Sequence, residues 1–328
     1  YFRDAGGWRT GPVFPGLAKI QTAVATPDAG GVLLQVDGSS DLVRSDGAGG
    51  RLTFPMAWKP EGAGAGDRLL GLGSAAGTVW WVTAAGDEAT LWRWTSGTDP
   101  KPLRLTQAAV KPAVKALWLG GDRVAVAEAF GRGGAVVARQ ADGTVTAVPL
   151  PAGSDLTSLR LLVRSGAPVP ARIADGVLQW LGDDLRPVDQ AALEPGAKLG
   201  DWAELPDGAA WALEAGAGRL HRLAADRGGV LRPVETCAVP PGNALVADPV
   251  LGLLLLGDQG VGLLADGAPR EALPVATWTD PEAVGGGSGA CSRVFAVDLD
   301  GDGVDEALVA DDRRHRLTAL RQAGDGLT

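Results

Sequence analysis

Val294-Phe-Ala-Val-Asp298-Leu-Asp300-Gly-Asp302-Gly-Val304-Asp305-Glu306-Ala-Leu-Val-Ala310 reads as a strand, an acidic turn and a second strand. Carboxylates stand at the first, third, fifth and ninth positions of the turn, and Gly303 falls at the sixth. Four carboxylates held that close repel one another unless a cation sits among them. Asp298, Asp300, Asp302 and Glu306 then supply side-chain oxygens, Val304 a backbone carbonyl and Gly303 the sharp turn, which is a donor set for Ca²⁺. The plainer alternative is a solvated hairpin, because turns favour Asp and Gly in any case. An EF-hand is excluded by the flanks. It needs a helix on either side and a bidentate acid at the twelfth position, where this chain has Val309.

Strand, calcium turn, strand resembles the FG-GAP or VCBS repeat, the blade unit of the β-propeller in integrin α-subunits and many bacterial surface proteins. The resemblance is close over Val294 to Ala310, and the chain carries no second copy of the acidic loop. In that family the loop joins the first two strands of a blade and is structural. The resemblance therefore implies metal-ligand roles for Asp298, Asp300, Asp302, Val304 and Glu306, with Ca²⁺ as the cofactor.

Outward from this segment, short apolar strands alternate with Asp/Gly turns, and no stretch sustains helical periodicity. One hairpin recurs, often closing on proline. It appears at Asp41 to Pro55, Val136 to Pro149 and Val261 to Pro274, with a further copy at Tyr1 to Pro12. Its turns, near Gly6, Gly47, Gly97, Gly143, Asp183, Arg227, Gly267 and Gly326, mark off seven intervals of about one four-stranded blade each. Room for two more strands precedes each hairpin, as in Leu69 to Leu72 with Thr78 to Thr83, or Ser158 to Val163 with Ala171 to Ala174. The expectation is an all-β, single-domain chain over 1–328: a seven-bladed β-propeller whose N-terminal strand, Trp8 to Phe14, closes the last blade. An eight-bladed ring or an open array is the alternative.

Composition narrows the function classes. A formal charge of −9 and the absence of a basic run argue against a nucleic-acid partner. The longest apolar run, around Leu251 to Leu256, is too short to span a bilayer, so no transmembrane segment is expected. The chain opens at Tyr1 rather than Met, and with a calcium loop of this kind the expectation is an exported protein, periplasmic or at the cell surface. Export makes Cys237 and Cys291 candidates for a disulfide, with two buried thiols as the alternative.

Acid–base equipment is sparse. His221 and His315 are the only histidines and Tyr1 the only tyrosine. Both histidines read as solvated side chains among charged neighbours. The adjacent acids Asp87-Glu88, Asp183-Asp184 and Asp311-Asp312 read as solvated turn residues. No Gly-x-Ser-x-Gly motif supports a triad. The Gly-rich stretch 280–290 lacks the following helix and Lys-Ser/Thr pair of a phosphate loop. Eleven tryptophans, densest at Trp80, Trp81, Trp92 and Trp94, fit flat wedges between blades better than an aromatic platform. The resulting expectation is a non-catalytic protein-binding scaffold or subunit of a bacterial envelope assembly. The Trp80/Trp92/Trp94 region and the 280–290 loop are its first candidate contact surfaces. A glycan-binding lectin or a calcium-dependent polysaccharide lyase or hydrolase is the alternative.

Overall fold

The computed structural model describes residues 2–4, 7–9, 20–27, 31–36, 42–44, 58–64, 66–75, 77–86, 88–106, 113–128, 133–150, 156, 159–164, 167–193, 196–205, 208–225, 231–239, 242–248, 251–257, 260–264, 276–279, 291–299, 304–312, 316–320, 322–323 and 326–327. Alternation of apolar and polar residues makes these segments antiparallel strands, gathered into seven blades around a central axis. Outside the blades stands an N-terminal hairpin, β1 (Phe2–Asp4) and β2 (Gly7–Arg9). Blade one holds β3 (Ile20–Ala25), β4 (Val32–Val36) and β5 (Leu42–Arg44). Blade two holds β6 (Arg68–Ala75), β7 (Thr78–Ala85), β8 (Glu88–Thr95) and β9 (Lys101–Thr106). Blade three follows with β10 (Ala113–Trp118), β11 (Arg123–Glu128), β12 (Gly134–Arg139) and β13 (Val145–Pro149). Blade four is β14 (Leu159–Arg164), β15 (Ala167–Ala174), β16 (Val177–Leu181) and β17 (Pro187–Ala191). Blade five is β18 (Leu199–Glu204), β19 (Ala210–Glu214), β20 (Arg219–Ala225) and β21 (Leu231–Ala238). Blade six is β22 (Gly242–Asp248), β23 (Gly252–Gly257), β24 (Gly260–Leu264) and β25 (Ala276–Thr279). Blade seven is β26 (Cys291–Val297), β27 (Glu306–Asp311) and β28 (Arg316–Leu320). A C-terminal hairpin, β29 (Gln322–Ala323) and β30 (Gly326–Leu327), ends the chain's described strands.

Each blade runs as a simple meander, with its first strand innermost, beside the first strands of its neighbours. Six of these inner strands share one irregularity. The ladder skips a residue between Ile20 and Thr22, Leu69 and Gly71, Ala113 and Lys115, Leu199 and Asp201, Gly242 and Ala244, and Cys291 and Arg293. Blade four alone pairs without such a shift in its inner strand. A bulge at the same place adds local twist where strands crowd the axis. Gly71 shows how tight that crowding is, since a Cβ there would stand 2.1 Å from the Ala116 carbonyl of blade three.

The core is divided among the blade interfaces. Seven buried apolar clusters are found among the described residues, one between each pair of adjacent blades, the last uniting Ile20, Val32 and Leu34 of blade one with Leu308, Ala310 and Leu317 of blade seven. Trp80 tilts against Trp118 across the second interface, and Trp180 meets Trp202 edge-on across the fourth. Trp80, Trp81, Trp92 and Trp94 are 3%, 0%, 1% and 4% exposed, so this cluster is core and supplies no contact surface. Flat rings fill the space that opens between twisted sheets.

Seven blades settle the count against eight. The velcro arrangement is corrected over the described residues. Gly7–Arg9 pairs with Phe2–Asp4 and, among the described residues, not with blade seven, because two strands so near in the chain meet at little cost in loop closure. The remainder of the expected strand, 10–14, lies outside the described residues. The ring is closed by contact of β26 with β3. The hairpin at Val136 to Pro149 forms as β12 and β13, whereas β24 pairs with β25 beyond Pro274. Outer strands carry Pro102, Pro149, Pro187 and Pro233, residues that cannot offer an N–H to a foreign edge.

Candidate metal centre

The acidic turn joins β26 to β27, the first two strands of blade seven, with Val297 and Glu306 as the last pair of the ladder. Every residue of β27 is buried, and Glu306 is fully so, as is Leu299. The Glu306 carboxylate folds back across the turn, its Oε2 accepting a hydrogen bond from the Leu299 N–H at 2.9 Å. Asp298, Val304 and Asp305 are half-buried at the two ends of the turn. Asp300 and Asp302, with Gly303, lie outside the described residues. The described residues by themselves contain no cage of three acids, histidines or cysteines.

A further carboxyl arrives from another blade. Asp248 ends the inner strand β22 of blade six, is 5% exposed, and accepts the Leu251 N–H on Oδ1 at 2.7 Å. It also shares a hydrogen bond with the Asp305 carboxyl. Burial foremost, then that hydrogen bond and the charges of Asp248, Asp298 and Glu306, push the Asp305 carboxyl up to about 7. Asp248 gave no signal in the sequence, where an Asp before Pro249 reads as an ordinary turn residue. The donors that can be placed are carboxylate and carbonyl oxygens only, a chemistry that fits a hard cation such as Ca²⁺ and not a soft one.

Elsewhere, the ionisable side chains tie strands and blades together. Asp201 on β18 is 1% exposed, pairs with Arg160 on β14 and accepts the Leu245 N–H of β22 at 2.8 Å, so one carboxylate links blades four, five and six. Burial raises its proton affinity and the Arg160 charge opposes that rise. His221 is not solvated as expected. It is 7% exposed, with Nε2 3.1 Å from Glu214 Oε2 and Nδ1 2.9 Å from Thr236 Oγ1. Arg219 donates to Glu214 Oε1 at 2.7 Å and, with His221, holds that carboxyl below its ordinary range. Thr236, His221 and Glu214 have the order of a nucleophile, base and acid. They lie on the three neighbouring strands β19, β20 and β21 of blade five, with His221 directly opposite Thr236 in the ladder. His315 lies outside the described residues.

Among the acid pairs, Asp183 binds Arg123 and Asp184 stands 3.5 Å from Arg186, both at the surface. Asp311, by contrast, is buried, because it ends β27 inside the blade. The disulfide is also corrected. Cys237 is a free, buried thiol on the outermost strand of blade five, whereas Cys291 opens the innermost strand of blade seven. Burial pushes the Cys237 thiol up and makes it a poor nucleophile. The 280–290 loop falls outside the described residues, and no helix among them is long and apolar enough to cross a membrane.

No protein-family model matches the chain, and no curated protein matches it in sequence. Solved structures do resemble it. Virginiamycin B lyase from Staphylococcus aureus superposes with a TM-score of 0.56 at 13% identity, over 94% of this chain and 97% of the lyase. YCF48 bound to a D1 peptide gives 0.55 at 14% identity, over 91% and 92% of the two chains. The extracellular domain of a one-component system from B. thetaiotaomicron gives 0.51 at 11% identity, over 95% of this chain and 39% of that one. At such identities the likeness speaks to architecture alone: this chain folds as a seven-bladed β-propeller.

Proposed function

We propose that the chain is a non-catalytic, calcium-stabilised propeller that serves as a protein-binding scaffold or subunit of an exported bacterial envelope or surface assembly. The supporting observation is the way its ionisable side chains are spent: Asp201 with Arg160, Glu214 with Arg219 and His221, and Arg293 with Asp312 all join strands or blades. A propeller of the same architecture, YCF48, holds a peptide, so the fold is compatible with such a role. Asp298, Asp300, Asp302, the Val304 carbonyl and Glu306 would hold Ca²⁺, whose charge would offset the repulsion among the turn carboxylates and Asp248. Glu306 anchors one arm of the turn through Leu299, and Asp305 with Asp248 fastens it to blade six.

Two measurements test this reading. Calcium at a hundredfold excess over its Kd should stabilise the native protein by about 2.7 kcal/mol, and Asp300→Ala should abolish that gain. A melting temperature that a chelator leaves unchanged removes the calcium part of the proposal. Crosslinking in an envelope fraction should capture a protein partner over an interface of at least about 1,000 Å². A second reading is the alternative of a calcium-dependent polysaccharide lyase or hydrolase, and virginiamycin B lyase supports it only in that a propeller of this architecture can carry a lyase site. Calcium-dependent release of unsaturated or reducing ends from a polysaccharide panel would establish that reading in place of the scaffold.

A further inference from the structure

We propose that blade two carries a binding groove for one neutral sugar ring. The groove has a volume of about 180 Å³ and lies on the face of blade two that carries Glu88, Thr90 and Trp92. Its far wall is the segment that leads into β6, where Gly62 and Gly64 add no side chains and Asp67 folds back to accept the Gly64 N–H at 2.9 Å. Gly62 sits at a φ of 88°, with open space where a Cβ would project. Pro102 and Arg104 of β9 complete the lining, together with Ala85.

Size and charge select the ligand class. The groove is smaller than the roughly 300 Å³ at which pockets begin to suit drug-sized molecules, so it suits a single ring rather than an extended chain. Its polar groups have mixed roles. Asp67 and Glu88 accept hydrogen bonds, Arg104 donates them, and Thr90 does both. Arg104 already stands 3.7 Å from Glu88, so a cationic ligand would have to displace a guanidinium. An anionic ligand would face two carboxylates. A neutral polyol meets neither obstacle: its hydroxyls can both donate and accept, and its C–H face can lie on Ala85 and Pro102. Trp92 is 1% exposed and contributes only to the floor, which makes this a hydrogen-bonding site and not a stacking platform.

The proposal does not rest on the scaffold reading, since the groove can be blocked while partner capture is left intact. Ligand-observed NMR and calorimetry on the whole chain, with neutral hexoses, pentoses and N-acetylhexosamines as probes, provide the test. Glucosamine and glucuronate serve as the cationic and anionic controls. At least one neutral sugar should bind, Glu88→Gln should weaken it about tenfold, and Ala85→Trp should abolish it with an unchanged melting temperature. Thr90→Val, which keeps the side-chain shape, should weaken binding in the same way should Ala85→Trp fold poorly. Failure of every neutral sugar to bind overturns the proposal. So does tighter binding of either charged control, or native affinity in both Ala85→Trp and Thr90→Val.

Discussion

Arg293, on the innermost strand of blade seven, donates a hydrogen bond at 2.6 Å to the carbonyl of Ile20 on the innermost strand of blade one. The same guanidinium reaches Asp312 at 3.3 Å, so one side chain joins the last blade to the first. Arg293→Met should therefore cost about 1–2 kcal/mol, seen as a lower urea midpoint with an unchanged slope. No shift in midpoint would show that apolar packing alone closes the ring.

Removal of residues 1–9 should leave cooperative unfolding and the melting temperature nearly intact. β1 and β2 pair with each other, so their loss exposes no edge of blade seven. Aggregation or a broadened transition in the truncated protein would restore the closing role for this segment.

Asp201 gives a pH dependence of unusual sign. Burial holds its folded-state carboxyl above the ordinary 3.8, so the folded state keeps its proton longer than the unfolded chain. Its contribution to stability is therefore greatest below 3.8 and declines as pH rises through the raised value. Asp201→Asn should remove this decline and change stability at pH 7 by less than about 1 kcal/mol, because the amide oxygen can still accept the Leu245 N–H. Asp201→Ala should cost about 1–3 kcal/mol by leaving that buried N–H unpaired. Equal losses in the two variants, measured by denaturant titration across pH, would contradict this account.

Glu214 behaves in the opposite sense. Arg219 above all, with His221, holds its carboxyl below the ordinary 4.5. The stability it supplies is present above 4.5 and is lost as pH falls through the lower folded value. Glu214→Gln should flatten the acid limb of the stability curve in that window and lower stability at pH 7. An acid limb identical to that of the native protein would disprove the role.

What the chain determined locally was legible in advance. Turn residues at Gly97, Gly143 and Asp183, each between two period-two apolar runs, mark hairpins that form where expected, as do Leu69 to Leu72 with Thr78 to Thr83. Strand and turn depend on neighbours a few residues away, and counting such units gives seven. Contacts between distant residues were another matter. That His221 lies between Glu214 and Thr236, and that Cys237 is far from Cys291 in the ring, depend on which strand faces which. Asp248 is the clearest case, because its turn-like sequence context says nothing of the Asp305 carboxyl on the adjacent blade. Periodicity specifies which way a side chain leans from its own strand, but only the closing of the ring chooses what it meets there.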